Sequence, residues 1–260
     1  MRTDPTFACL VEIVARLRAP DGCPWDRAQT LQTLRPYVLE EAYEVLDALD
    51  RDDLGGLEKE LGDVLFQLVL MAQMAKEAGA FDMRDVLQRI NDKMVQRHPH
   101  VFDPTHTVSG DEGEVAAWEA RKAKERPADH SALDGVPGAL PALLRAHRIS
   151  EKASMVGFDW PNLAQVRAKV GEELDELDEA LRKDEEAAIV EEYGDLLFAL
   201  VNLGRHLPVG SEEALRAATR KFEGRFRRLE AHLAADGRTV YDTDADALEA
   251  TWQALKDTPC

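Results

Sequence analysis

The feature that most restricts the fold of this chain is an acidic helical pattern that occurs twice. The pattern consists of two acid pairs, each with a spacing of three residues, separated by a stretch of hairpin length. The pairs are Glu41 with Glu44 and Glu60 with Asp63, and they recur 132 positions later as Glu173 with Glu176 and Glu192 with Asp195. In both copies apolar Leu-Phe sequence follows the second pair, so the acidic helices also carry core residues. The chain is therefore predicted to be an internal duplication.

Apolar residues follow helical spacing almost throughout the chain, as in Leu61, Val64, Leu65 and Leu68, and convincing period-2 runs of β-branched residues are lacking. We therefore predict an all-α protein. The predicted helices cover about residues 6–18, 31–50, 53–78, 83–96 and 111–125 in the first half, and about 139–154, 162–183, 185–206, 211–235 and 244–257 in the second.

A segment rich in Pro and Gly separates the two copies. Residues 127–138 contain Pro127, Gly135, Pro137 and Gly138, which interrupt helices. We predict two tandem helical-bundle domains, 1–126 and 139–260, joined by this linker, and each is long enough to bury a core.

The charge balance argues against polyanionic surfaces as partners. Asp plus Glu number 50 against 32 Lys plus Arg, giving a formal net charge of −18, which opposes stable binding to nucleic acid or anionic membrane. The first residues lack the apolar core of a secretion signal, and no apolar stretch approaches the roughly 20 residues of a membrane span.

The cysteine content predicts neither a disulfide framework nor a cysteine zinc site. Cys9, Cys23 and Cys260 form no C-x-x-C pair. A reducing, cytoplasmic location is expected.

The doubled acid pairs predict a site for a hard cation. Residues three apart on a helix share a face, and a hairpin closing near Arg51 to Gly56 brings both pairs together. Converging carboxylates repel by about 3 kcal/mol per close pair at an effective dielectric near 20. Oxygen ligands favour Mg²⁺, with Mn²⁺ as a possible substitute. A single pair taken alone is more typical of a solvated surface, but the recurrence reverses that interpretation.

Glu40 and Glu172 also recur, but each points about 100° away from the neighbouring first acid of its pair. They are therefore weaker ligand candidates. A di-iron four-helix bundle would require Glu-x-x-His on two helices, and no acidic helix of this sequence contains one. His98 and His100, which have no counterpart in the second copy, are predicted to serve loop or packing roles.

Each acidic hairpin is followed by a basic pair and by a Trp-Lys pair. These are Lys93 with Arg97 and Trp118 with Lys122 in the first copy, and Lys221 with Arg225 and Trp252 with Lys256 in the second. A basic pair linked twice to an acid cluster indicates phosphates bridged between a metal and cationic side chains. For the tryptophans, core or interface packing is favoured over stacking on a base.

One difference between the copies predicts unequal sites. Lys169 lies one turn before Glu173, whereas the corresponding residue of the first copy is Tyr37. The second copy thus has one more cation for a polyphosphate and is predicted to be the stronger catalyst.

The sequence resembles the MazG family, nucleoside triphosphate pyrophosphohydrolases of the all-α NTP pyrophosphatase group. The resemblance is carried by the acid motif and by the segments Gly22-Cys23-Pro24-Trp25-Asp26 and Arg97-His98-Pro99-His100-Val101-Phe102. It covers essentially the whole chain and is similar to the tandem, two-domain bacterial members.

The resemblance implies Mg²⁺-dependent cleavage of a nucleoside triphosphate between its α and β phosphates, and a homodimer. Carried onto this chain, the catalytic and metal-binding acids would be Glu173, Glu176, Glu192 and Asp195, with Glu172 nearby. The nucleotide would be surrounded by Lys169, Lys221, Arg225, Trp252 and Lys256. A second possible site would comprise Glu40, Glu41, Glu44, Glu60, Asp63, Lys93, Arg97, Trp118 and Lys122.

Five questions stay open at this point: the base and sugar preference, the identity of the general base, the activity of the first copy, the number of metal ions per site, and the physiological role. The role is either housecleaning of aberrant nucleotides or control of a nucleotide pool or stress response. The alternative to an enzyme is a catalytically silent helical module that binds a nucleotide or a partner protein.

Overall fold

The computed structural model of the protein describes residues 5–103 and 131–256. All regular secondary structure in these two ranges is helical, which confirms the predicted all-α class. The chain divides into two compact units, Met1–Arg126 and Pro127–Cys260, called unit 1 and unit 2 below. Each unit contains one copy of the acidic pattern.

Six helices belong to the described part of unit 1. They are α1 (Phe7–Leu17), α2 (Pro24–Ala28), α3 (Arg35–Asp50), α4 (Leu54–Glu77), α5 (Met83–Arg97) and α6 (Pro99–Phe102). Helices α1 and α3 both pack on α4. Their apolar core consists of Val14, Leu34, Val69, Leu70 and Met74. The core lies along the second half of α4, which leaves the first half for the acids.

Five helices belong to the described part of unit 2. They are α7 (Ala142–Met155), α8 (Leu163–Lys183), α9 (Glu186–His206), α10 (Ser211–Ala235) and α11 (Ala245–Lys256). Helix α9 packs against α7, α8 and α10, and α11 packs against α10. The most enclosed apolar side chains of this unit include Val166, Val201, Leu229 and Leu233. None of the helices in the described ranges combines the length and apolar character that a bilayer-spanning segment needs.

The start of α3 differs from the prediction. Residues 31–34 form a turn rather than helix, because Thr30 and Thr33 each accept a hydrogen bond from the other's backbone N–H, at 2.9 and 3.2 Å. The helix then begins at Arg35, immediately before Pro36, and proline suits the first turn of a helix.

Proline also explains the other departures in helix boundaries. Residues 139–141 precede α7 rather than belonging to it, since Pro141 is the N-cap. The short helices α2 and α6 were not predicted, and each begins with a proline in its first turn. The predicted helix at 111–125 lies outside the described residues.

Both acidic hairpins close at an aspartate in the left-handed backbone region. Asp52 lies between α3 and α4 with φ 53°, and Asp184 lies between α8 and α9 with φ 56°. The two positions are 132 apart, the same interval as the acids. Aspartate is one of the few residues other than glycine that tolerate this conformation. Because the turns are short, each acidic helix pair runs antiparallel with its carboxylates on facing helices.

A charged contact fixes the segment that precedes α8. Arg205 Nη1 donates to Asp159 Oδ2 at 2.8 Å, and His206 Nε2 lies 3.1 Å from Asp159 Oδ1. The Arg205 hydrogen bond, followed by that of His206, lowers the pKa of the Asp159 carboxyl well below its usual range. The end of α9 thereby holds the loop that leads into the acidic hairpin of unit 2.

The left-handed turn gives a stability prediction. Asp184→Val should lower the free energy of unfolding by about 1–2 kcal/mol, because a β-branched side chain is strained at positive φ. Asp184→Gly should be neutral or stabilising, since glycine adopts this backbone conformation freely. Urea denaturation followed by circular dichroism measures both. Equal losses of stability in the two variants would contradict the argument.

Candidate active site

The hairpin of unit 2 gathers three carboxylates at one point. Oxygen atoms of Glu173, Glu176 and Glu192 all lie within 4.8 Å of one another. Glu173 is the most enclosed of the three, with a side chain only 7% exposed. Helix α8 contributes two of these acids and α9 contributes the third, so the antiparallel packing of the two helices creates the group. We call it the unit 2 trio.

A lysine of the same helix compensates part of this charge. Lys169 Nζ lies 2.8 Å from Glu173 and 2.7 Å from Glu172. Hydrogen bonds to Glu172 and then to Glu173 raise the pKa of Lys169, so the ammonium form is held firmly. The predicted extra cation of the second copy is therefore in direct contact with the acidic site. Glu172 takes part through this lysine and is not a member of the trio.

The negative charge that Lys169 does not offset affects the pKa of Glu192. Burial, followed by repulsion from Glu176 and from other neighbouring acids, raises the pKa of Glu192. Asp195, the fourth predicted acid, is one of these repelling neighbours but is not in the trio.

Unit 1 has a corresponding group with a different membership. Oxygen atoms of Glu41, Glu60 and Asp63 lie within 4.8 Å of one another, and we call them the unit 1 trio. The Glu44 carboxyl lies beside that of Glu60, so a proton on Glu44 can be shared with Glu60, and this, followed by the repulsion between the ionised groups, raises the pKa of Glu44. Glu40 is exposed and is not a member of the trio. In each copy, three of the four predicted acids are thus brought together and one stands at the edge.

Two residues of the unit 1 cluster were missed by the sequence analysis. Lys59 Nζ lies 2.9 Å from Glu60 and 3.7 Å from Asp63, and its hydrogen bond is the main cause that lowers the pKa of Glu60. Gln67 Nε2 lies 3.5 Å from Glu41 Oε1. Position 191, which corresponds to Lys59, is Glu in unit 2. A comparison of the copies for their differences around the motif would have found both residues.

Unlike Lys169, the basic pair that follows the acidic hairpin of unit 2 makes no direct bond to the trio within the described ranges. Lys221 and Arg225 of α10 form neither a hydrogen bond nor an ion pair with its acids there, and Arg225 Nε is buried without a partner. Lys256 is exposed near the end of α11. Trp252 packs on Phe222 with ring centroids 5.1 Å apart, an arrangement that favours the packing interpretation.

The basic residues of unit 1 are less alike than the sequence suggests. Lys93 is exposed on α5, whereas Arg97 is only 8% exposed. His98 Nδ1 lies 2.7 Å from the Met94 carbonyl oxygen, and this hydrogen bond to the backbone accords with the predicted loop role. Trp118 and Lys122 lie outside the described residues.

The donor set of both trios fits a hard divalent cation. Mg²⁺ binds oxygen ligands at about 2.0–2.1 Å, so opposite ligands stand about 4 Å apart, close to the spread of each trio. Glu60 Oε2 is buried and has no hydrogen-bond partner among the described residues, although its side chain belongs to the cluster. Buried carboxylate oxygens are normally paired, and a cation would supply the missing partner.

Comparison with known proteins identifies the family. The model of the MazG nucleotide pyrophosphohydrolase domain matches this chain twice, over residues 29–102 and 162–229. The chain belongs to the MazG family. Both matched segments include an acidic hairpin, so the predicted tandem MazG-like architecture is confirmed, as is the prediction of an enzyme of this class.

Relatives that match nearly the whole of this chain support the same family. The nucleoside triphosphate pyrophosphohydrolase of Escherichia coli K12 is 49% identical over 252 residues, covering 95% of each chain. The nucleoside triphosphate pyrophosphohydrolase/pyrophosphatase MazG of Thermotoga maritima is 44% identical over 251 residues, covering 96% of this chain and 95% of the relative. The uncharacterized protein YabN of Bacillus subtilis is 40% identical over 255 residues, which cover 97% of this chain and 52% of YabN.

The raised pKa of Glu192 gives this MazG site a testable pH dependence when metal is removed. An acid whose folded pKa lies above its unfolded value, about 4.3 for Glu, binds more protons in the folded state. Its contribution to stability is present at low pH and is lost as the pH rises from the unfolded to the folded pKa. Glu192→Gln should therefore raise the melting temperature at neutral pH in the presence of EDTA.

The matched control is Glu179→Gln on α8. Glu179 pairs with Lys183 at 2.9 Å on the exposed surface, and such pairs contribute little to stability. Its melting temperature in EDTA should stay near that of the wild type. A lower melting temperature for Glu192→Gln under these conditions would show that the trio is not under repulsive charge.

Proposed function

We propose that this chain hydrolyses nucleoside triphosphates between the α and β phosphates, giving the monophosphate and pyrophosphate, with Mg²⁺ as cofactor and Mn²⁺ as a substitute. The observation that carries the proposal is the unit 2 trio, with the contact from Lys169 to Glu173, in a chain that belongs to the MazG family. The names of the E. coli and T. maritima relatives support the substrate class.

The unit 2 trio would hold the cation. Glu173, Glu176 and Glu192 supply the oxygens that are already close together, while Asp195 and Glu172 lie at the edge. When bound, Mg²⁺ supplies the Lewis acidity that polarises the phosphate under attack.

The protein's own residues supply the remaining chemistry. A carboxylate of the acidic site orients the attacking water and takes its proton as the bond to the α phosphorus forms. Lys169 adds positive charge at the same place. Lys221 and Arg225 stabilise the negative charge on the departing pyrophosphate, and a guanidinium suits this role because it can bind two phosphate oxygens at once.

Removal of two members of the trio tests the proposal. The double variant Glu176→Gln, Glu192→Gln should lose at least about 100-fold in pyrophosphate release from a mixture of nucleoside triphosphates with Mg²⁺, the scale seen when electrostatic groups are removed from active sites. The control Asp178→Asn, Glu179→Gln changes the same number of charges just beyond the trio and should retain activity. Activity at the wild-type level in the first variant would overturn the assignment of unit 2.

The alternative, a silent binding module, makes a different prediction. A nucleotide that binds with Mg²⁺ raises the melting temperature whether or not chemistry follows. Stabilisation without pyrophosphate release, in protein whose fold is verified, would favour the silent module. Release that depends on the trio excludes it.

We also propose that the functional form is a homodimer. Helix α5 leaves a row of large apolar residues substantially exposed, namely Val86, Leu87, Ile90, Met94 and Val95. Phe81, just before the helix, extends this surface. Contiguous apolar surface of this kind is typical of interfaces, and the MazG resemblance implies a second copy as the occupant.

A charge placed on this surface tests the dimer. Ile90→Glu should shift the sedimentation equilibrium of the wild-type dimer towards monomer, because a carboxylate buried in an apolar interface is strongly destabilising. The neighbouring Asn91→Glu introduces the same charge on the same helix and serves as the control. A wild-type protein that sediments as a monomer at all concentrations would overturn the dimer proposal.

A further inference from the structure

The inference rests on the proposed cation chemistry and concerns Gln67 in unit 1. Gln67 lies four residues after Asp63 and seven after Glu60 on α4, so the three side chains share one helix face. It is only 6% exposed, and its Nε2 lies 3.5 Å from Oε1 of Glu41. The amide thus extends from α4 towards the acid that α3 contributes to the unit 1 trio.

The amide oxygen of Gln67 is the unexplained part of this arrangement. Oε1 is buried and accepts no hydrogen bond within the described residues, and a buried acceptor without a donor is destabilising. An apolar side chain of similar shape would avoid the cost. Glu60 Oε2, in the same cluster, is also buried without a partner. Two buried acceptors on the acid-bearing face of α4 therefore lack donors among the described residues.

A hydrated cation satisfies both kinds of acceptor. The metal ion itself pairs with carboxylate oxygens, and its bound waters carry O–H groups that donate to neighbouring acceptors. Mg²⁺ bound by protein carboxylates keeps several of its waters. A bare ammonium, such as Lys59 Nζ, already pairs with the other oxygen of Glu60, Oε1, and leaves the two acceptors unpaired.

In unit 2 a different group contacts the glutamate that corresponds to Glu41. The residue that corresponds to Gln67 is Ala199, which is also 6% exposed. Glu173, the counterpart of Glu41, is contacted instead by the ammonium of Lys169. Each unit thus gives its equivalent glutamate one donor, which is neutral in unit 1 and charged in unit 2. A neutral donor orients Glu41 without offsetting the charge that attracts a cation.

We propose that Gln67 is the positioning residue of a hydrated divalent-cation site formed by Glu41, Glu60 and Asp63 in unit 1. Its N–H group fixes the Glu41 carboxylate, and its Oε1 accepts a hydrogen bond from a cation-bound water. Partners that orient metal ligands in this way change metal affinity by about 10–100-fold when they are removed.

The test measures Mn²⁺ binding to the full chain by titration calorimetry. The parent protein carries Glu176→Gln and Glu192→Gln, which remove the unit 2 trio so that binding reports unit 1. Adding Gln67→Met should weaken Mn²⁺ binding about 10–100-fold. The melting temperature of the Gln67→Met variant in EDTA should equal or exceed that of the parent. Methionine has a similar side-chain volume to glutamine and lacks the unpaired oxygen. Gln67→Leu is a second variant with the same expectation, for use if the first fails to fold.

The control is Gln73→Met on the same helix. Gln73 donates to Glu77 at 2.9 Å, more than a turn beyond Gln67, and its replacement should leave the Mn²⁺ affinity unchanged. A purely structural role for Gln67 predicts the reverse pattern, with a lower melting temperature and an unaltered affinity. That result would overturn the proposal.

The outcome also separates this proposal from the proposed function. If the parent binds no Mn²⁺ while the wild type binds Mn²⁺ and releases pyrophosphate, the unit 1 site is overturned and the proposed function of unit 2 stands. If neither protein binds Mn²⁺ and the wild type releases no pyrophosphate with Mg²⁺, both are overturned.

Discussion

The mutual repulsion of carboxylates on a helical hairpin is the constraint on which the rest of this structure depends. Three acids whose oxygens lie within 4.8 Å of one another occur in each unit, and ionised carboxylates at this separation repel one another. A hairpin that gathers such charges folds only if core packing holds the helices together and cations offset the charge. The core along α4 serves the first need in unit 1. The lysines beside the trios serve the second in part.

The two units place their compensating lysine on opposite helices. In unit 2 Lys169 lies on the first acidic helix, one turn before Glu173, and pairs with it. In unit 1 Lys59 lies on the second acidic helix and pairs with Glu60. Lys169 also contacts Glu172, and Lys59 also contacts Asp63 one turn further along its helix, so each location neutralises different acids of the site. In unit 2 the position of Lys59 is taken by Glu191, and the pKa of the neighbouring Glu192 is raised.

Most of the fold was predictable because the duplication presents the same sequence pattern twice. The helical spacing, the hairpin and the acids recur at one interval, so chance matches are easily rejected. The start of α3 was not predictable in the same way, since the reciprocal hydrogen bonds of Thr30 and Thr33 belong to unit 1 alone. The contact between Phe222 and Trp252 could not be predicted for a different reason. It joins α10 to α11, and residue spacing along one helix does not show how two helices pack.

The membership of the site was predictable only where the copies agree. A search for shared residues selects the four acids of each hairpin, because all four recur at one interval, although each trio draws on a different three of them. It overlooks Lys59 and Gln67, whose counterparts are Glu191 and Ala199. These side chains contact the acids and affect their charge and orientation, and that task has several chemical solutions. The duplicated hairpin therefore retains its carboxylates, while the residues that contact and position these carboxylates differ between the units. Residues that orient ligands in this way can change both the affinity and the chemistry of a site.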